Sequence, residues 1–176
     1  MEDLVEPECE RHGLDRHVLV DEEGHAVAAI DRGITFKTVV MHEPGGGPTF
    51  DGGLRHAAAA VEMLSGAPAT LVLPDHGASL RFVLAGSLGE IAVLVHAIDG
   101  GFSGDVKAWR IGMGSLGKLD PLQVDKLIGC PFQDIVDEVQ EWAAGNRSRI
   151  ELLAEQLAEV PAGPELSNND VVSFLG

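Results

Sequence analysis

The sequence predicts an α+β fold, an antiparallel sheet of six to seven strands with one inserted helix and a C-terminal helical segment. Three observations predict it. Apolar runs of strand length, separated by Gly- and Asp-rich turns, occupy most of residues 17–111. An alanine run at 57–60 interrupts them with helix-forming composition. Beyond Gly117 the apolar residues recur at helical spacing. Strands first and helices last, with no regular β–α alternation, is the pattern of an antiparallel α+β domain.

Each element follows from local chemistry. Residues 1–13 are polar and acidic without periodicity and read as a flexible tail. Residues 17–20 read as a strand, Asp21-Glu22-Glu23-Gly24 as a turn, and residues 25–30 as the return strand. Residues 34–42 are rich in β-branched side chains and make the clearest early strand. The Pro- and Gly-rich stretch 43–48 is a loop. Asp51 then caps a helix over 54–64, which Gly66 and Pro68 end.

Residues 70–73, 80–85, 91–98 and 106–111 read as four further strands, the last carrying Trp109. Asp120-Pro121 opens a short helix that Gly129 closes. A second helix starts near Pro131, with Gly145-Asn146 as a kink or stop before its face continues to Val160. The expected organisation is a tail over 1–13, one domain over 14–160, and a second tail over 161–176.

The charge is uneven. The net formal charge is -16, yet residues 25–130 are nearly neutral. Residues 1–24 and 131–176 each carry nine carboxylates against two arginines. Direct nucleic-acid binding needs clustered Lys or Arg, so it is not expected. An anionic membrane surface is disfavoured for the same reason. A basic protein is the partner that gains most from such a surface. Two cysteines, Cys9 and Cys130, make no disulfide framework, and the acidic start lacks the basic, then apolar, order of a secretion signal. The longest apolar run, 91–98, is far shorter than the about 20 residues that span a bilayer. A cytoplasmic location is the expectation.

Catalytic and metal-binding patterns are weak at this level. Cys9-x-x-His12 with His17 offers three zinc-type ligands where a structural site normally has four. The glycines at 45–47 precede a helix but lack the lysine and hydroxyl of a phosphate loop. Asp75-His76-Gly77-Ala78-Ser79 has the letters of a hydrolase triad, but real triads are assembled across a fold. Cys130 has nothing local to activate it. His42, His56, His76 and His96 are the histidines to inspect for a hidden site. No metal and no cofactor are expected from the sequence.

The candidate partner surface is the acidic helical face. Asp134, Asp137, Glu138 and Glu141 fall on one side, with Trp142 beside them as a possible anchor, and Glu151, Glu155 and Glu159 repeat the pattern. Like charges at i,i+4 cost a few tenths of a kcal/mol per pair in a free helix. Their retention favours a binding role. In outline, residues 54–64, 80–85, 90–98, 106–111 with Trp109, and 120–128 resemble the WapI-like immunity proteins that bacteria pair with toxins. The long helical end from Pro131 departs from that outline.

The resemblance implies a non-enzymatic immunity or inhibitor protein that neutralises a basic partner by occlusion. The alternatives are a nucleic-acid mimic, a secretion chaperone, or an enzyme with an unrecognised His or Cys site. The sequence leaves the oligomeric state open.

Overall fold

The computed structural model describes residues 5–6, 14–42, 49–50, 55–56, 59–63, 75–98, 103, 105–106, 109, 121–160 and 165–176. Its core is helical. Helix α1 spans Leu14–Asp31, α2 spans His76–Leu94, and α4 spans Phe132–Glu159. The shorter α3 (Pro121–Ile128) and α5 (Asn168–Leu175) precede and follow α4. Strands β2 (Phe36–Met41), β5 (Ala59–Met63) and β7 (Glu165–Ser167) form one small sheet, in the order β5-β2-β7. Both neighbours run antiparallel to β2, with Val39 opposite Val61 on one side and Leu166 on the other. Two-residue strands accompany this sheet among the described residues. β1 (Val5–Glu6) pairs in parallel with β6 (Ala97–Ile98), and β3 (Thr49–Phe50) pairs with β4 (Arg55–His56).

The α+β expectation of a six- to seven-stranded sheet is therefore corrected to a mainly helical fold with a small sheet. The segments 17–20 and 25–30 belong to α1, and 80–85 and 91–94 belong to α2. The expected helix over 54–64 instead contains β4 and β5. Val106 and Trp109 are helical, and the segment 70–73 lies outside the described residues. Residues 36–41, 121–128 and 132–159 do form a strand and two helices near the expected places, and α4 runs through Gly145-Asn146 without a break.

The physical reason lies in burial. Helix α2 is sheathed on nearly every side: Leu80, Phe82, Val83, Leu84, Ala85, Leu88, Val93 and Leu94 are all in the core. A helix buried all round loses the polar face that gives a 3.6-residue period, and its short apolar pieces look like strands. Asp75 starts it, accepting the Ala78 backbone N–H at 2.6 Å. Its 19 residues are long and apolar enough to cross a membrane by length and composition, and 78% of that window is buried inside the protein.

Helix α1 hides its nature differently. Gly24 looks like a turn residue, but it sits mid-helix at the crossing with α2. A Cβ there would lie 2.6 Å from the Ala85 carbonyl oxygen and 3.0 Å from the Gly86 Cα. Two helix backbones approach this closely only where a side chain is missing. His17 meets Glu90, and eight residues later His25 meets Phe82, so the two helices run antiparallel. Helix α4 closes the core with one continuous stripe, Ile135, Val139, Ala143, Ile150, Leu153 and Leu157. The C-terminal residues dock on the sheet. Thr38 Oγ1 donates to the Leu166 carbonyl at 3.0 Å, Ser167 and Asp170 form a reciprocal cap on α5, and Val171 is buried.

Candidate metal centre

The α1–α2 seam is polar where an apolar contact is the norm. His17, Asp21, Glu23 and His25 from α1 are buried, as are Ser87 and Glu90 from α2 and His96 just beyond it. Burying such groups is costly unless they are paired or serve a site. At one end His17 Nδ1 lies 2.9 Å from Glu90 Oε1, and the His17 and His96 rings stand 4.9 Å apart. Val95 delivers His96 there from a left-handed conformation, φ 76°, that a β-branched residue rarely adopts.

One turn along α1, Asp21 and His25 share a face at i,i+4, and Asp105 reaches them from eighty residues away. One ligand atom from each of the three lies within 4.8 Å of the other two. His25 Nε2 is 3.2 Å from Asp105 Oδ2 and 3.6 Å from Asp21 Oδ2. The other ring nitrogen, Nδ1, donates to the Phe82 carbonyl at 2.9 Å. That bond fixes the ring and turns Nε2 toward the carboxylates, the arrangement found around metal-ligating histidines.

Two further observations test whether an ion fits. Asp21 Oδ1 is buried and has no hydrogen-bond partner among the described residues. Gly86 on α2 forms the wall opposite. A Cβ on it would lie 2.5 Å from His25 Nε2 and 2.7 Å from Asp21 Oδ1. An open acceptor and a wall without a side chain both suit a divalent cation between two carboxylates and an imidazole.

The groups also act on one another electrostatically, and an ion would have to displace a proton from His25. Burial pulls the His25 imidazole down, but Asp105 and Asp21 beside it, by charge and hydrogen bonding, hold it well above its ordinary value. Burial and the neighbouring Asp21 push Asp105 up to about 6, against the opposing pull of His25. Glu22 follows Asp21 in sequence and is raised to about 8 by burial, with Asp21 and Asp105 adding to the rise. His25 and a hydrogen bond from the Val61 backbone of β5 act the other way on Glu22. Glu22, His25 and Asp105 are thus gathered around Asp21 and displaced from their ordinary values by burial and by one another.

Glu23 is a separate case. It is fully buried, neither carboxylate oxygen has a hydrogen-bond partner among the described residues, and burial raises it to about 8. An unsatisfied buried polar group costs about 1–3 kcal/mol. Glu23→Leu, close in volume, is therefore expected to raise the unfolding free energy by about 1–3 kcal/mol. Urea denaturation reads this as a higher midpoint at unchanged slope. A midpoint that stays level or falls would show that Glu23 is satisfied in solution.

The residues singled out from sequence lie elsewhere. Asp134, Asp137, Glu141, Glu155 and Glu159 are exposed on α4. Asp137 accepts from Gln133, and Glu138 is bound by Arg81 of α2 through contacts of 2.7 and 2.9 Å. Glu151 stands 3.9 Å from Arg16. Trp142 is half-buried, its indole N–H donating to Asp31 at 2.9 Å, and Arg149 also pairs with Asp31.

The histidines divide. His96 is buried against His17, His42 is half-buried, His76 is exposed, and the His56 side chain lies outside the described residues. The Asp75–Ser79 letters make no triad, since Asp75 caps α2 and His76 faces solvent. Cys130 is a half-buried free thiol. Cys9, His12 and the glycines at 45–47 lie outside the described residues. Among the described residues, none of these joins Asp21, His25 and Asp105.

No known protein family matches this chain, and no curated protein matches it. The missed signal is Asp21-Glu22-x-x-His25. Two ligand types at i,i+4 with a glutamate after the first repeat the layout of the His-Glu-x-x-His helix of zinc hydrolases, with aspartate in the first place.

Proposed function

We propose that this protein is a metal-dependent hydrolase that cleaves peptide or related amide bonds. The observation that carries the reading is Asp21-Glu22-x-x-His25 on one buried helix, closed by Asp105 and faced by Gly86. In the His-Glu-x-x-His arrangement the two residues four apart bind the ion and the intervening glutamate handles the proton. Asp21, His25 and Asp105 supply three ligands here, which leaves coordination positions open, as catalytic sites require. A divalent cation in that place supplies a Lewis acid that acidifies water and polarises a carbonyl group.

The remaining work falls to the chain. Glu22 stands within electrostatic reach of all three ligands and is raised to about 8. A carboxyl group that exchanges its proton near neutral pH suits both halves of a hydrolysis, taking a proton and then returning it to the leaving group. The Val61 backbone N–H steadies it. The Phe82 carbonyl holds the His25 ring in the orientation that an ion needs.

The test uses the full chain, stripped with a chelator and reloaded with one divalent ion. Binding of one ion per chain, together with cleavage of unfolded casein that the chelator abolishes, is the expected result. Absence of ion binding, or cleavage indifferent to the chelator, would remove the reading.

A second reading, docking of a basic protein, draws on the exposed carboxylates of Asp134, Asp137, Glu141, Glu155 and Glu159 along α4. It has no convergent geometry behind it, and the buried seam is the stronger observation.

A further inference from the structure

We propose that Asp21 sets which ion the site prefers, shifting it away from zinc toward oxygen-preferring divalent cations, with manganese(II) foremost. The inference rests on the reading of Asp21, His25 and Asp105 as ligands and concerns the one place where this helix departs from the two-histidine arrangement.

The donor set is two carboxylates and one imidazole. With histidine at position 21 it would be two imidazoles and one carboxylate. Imidazole suits zinc, copper, iron and nickel, whereas carboxylate oxygen suits magnesium, calcium and manganese. The exchange therefore removes a donor that zinc favours and adds one that manganese favours. Retaining His25 separates the site from the all-oxygen cages of calcium and magnesium.

Charge and space point the same way. Two ligand carboxylates bring as much negative charge as a divalent ion brings positive, and Glu22 stands beside them. Asp21 offers both oxygens. Oδ2 is 3.6 Å from His25 Nε2, and Oδ1 is buried without a hydrogen-bond partner among the described residues. Gly86 packs so closely against that oxygen that a Cβ there would lie 2.7 Å from it, so the backbone leaves Oδ1 uncovered by any side chain on that side.

Zinc can still bind more tightly in absolute terms, since divalent affinities rise across the first transition row at almost any site. The proposal concerns the ratio. Chelator-stripped wild-type, Asp21→His and Asp21→Asn chains are titrated separately with manganese(II) and zinc(II) chlorides by calorimetry, with circular dichroism as the check on folding. Asp21→His is expected to raise the zinc-to-manganese affinity ratio by at least about fivefold, within the range by which single residues around a metal change its affinity. A smaller change overturns the proposal. Asp21→Asn keeps the shape and removes the charge, and it is expected to weaken manganese more than zinc. If the histidine variant does not fold, equal weakening of both ions in Asp21→Asn overturns the proposal on its own. A wild-type chain that binds neither ion overturns the ligand assignment and the proposed hydrolase function together, an outcome distinct from an unchanged ratio.

Discussion

Glu22→Gln is expected to lower kcat for metal-dependent hydrolysis by about 10²–10⁴-fold, the usual contribution of a positioned general acid–base group. That loss corresponds to about 3–5 kcal/mol of transition-state stabilisation. The fold should tolerate the change. The glutamine carbonyl oxygen can still accept the Val61 backbone N–H that the carboxylate accepts. Ion affinity should change little, because Asp21, His25 and Asp105 are untouched. The informative control is the next residue. Glu23 is equally acidic and more deeply buried, but it stands apart from the Asp21–His25–Asp105 cluster, so Glu23→Gln should keep kcat. Steady-state kinetics of the metal-loaded chains separate the cases. If Glu22→Gln retained activity within about threefold, the residue would not carry the proton and the mechanism would need another base.

The sequence was legible where helices are amphipathic and strands are bounded by clear turns. Asp120-Pro121 and Gly129 frame α3, the apolar stripe of α4 repeats at helical spacing, and β2 is rich in β-branched residues. It was misleading where tertiary contacts override local preference. The alanines at 59 and 60 favour a helix, yet they form β5 because β2 offers a partner strand with Val39 opposite Val61. Residues 80–94 are apolar or small apart from Arg81, Ser87 and Glu90, because α2 is surrounded and keeps no continuous polar face. Gly24 reads as a turn because the usual reason for glycine is a positive φ. Its reason here is the Ala85 carbonyl of a neighbouring helix, which no local pattern shows.

The site was hidden by the same error. Once residues 17–31 are read as strand, turn and strand, Asp21 and His25 no longer share a face and Glu22 becomes part of a loop. Helical periodicity brings them together, at i and i+4. Asp105 could not be assigned in any case, because its partner in space is eighty residues away and its own neighbours, Gly101 and Gly104, suggest a loop. The charge map drew attention to α4 because acids are conspicuous in composition. Folding removes only a few carboxylates from water, and burial raises Glu22, Glu23 and Asp105 among them.

Gly86→Ala should abolish the stabilisation that a divalent ion confers. An ion present at about 100 times its dissociation constant stabilises a single site by about 2.7 kcal/mol, which for a chain of this length raises Tm by roughly 5–10 °C. The alanine Cβ would stand 2.5 Å from His25 Nε2 and 2.7 Å from Asp21 Oδ1, inside the space that the ion needs. Helix propensity alone predicts that alanine improves α2 by about 1 kcal/mol over glycine. Overpacking of about 1–3 kcal/mol opposes that gain, so the metal-free Tm is a poor discriminator. The difference between ion-loaded and ion-free Tm is a clean one, because each protein serves as its own reference. Wild type should show the rise and Gly86→Ala should show none. Gly145→Ala, at an exposed position of α4 where a Cβ meets nothing within 4 Å, should keep it. A full ion-dependent rise in Gly86→Ala would mean that the ion sits elsewhere, and the centre built from Asp21, His25 and Asp105 would have to be given up.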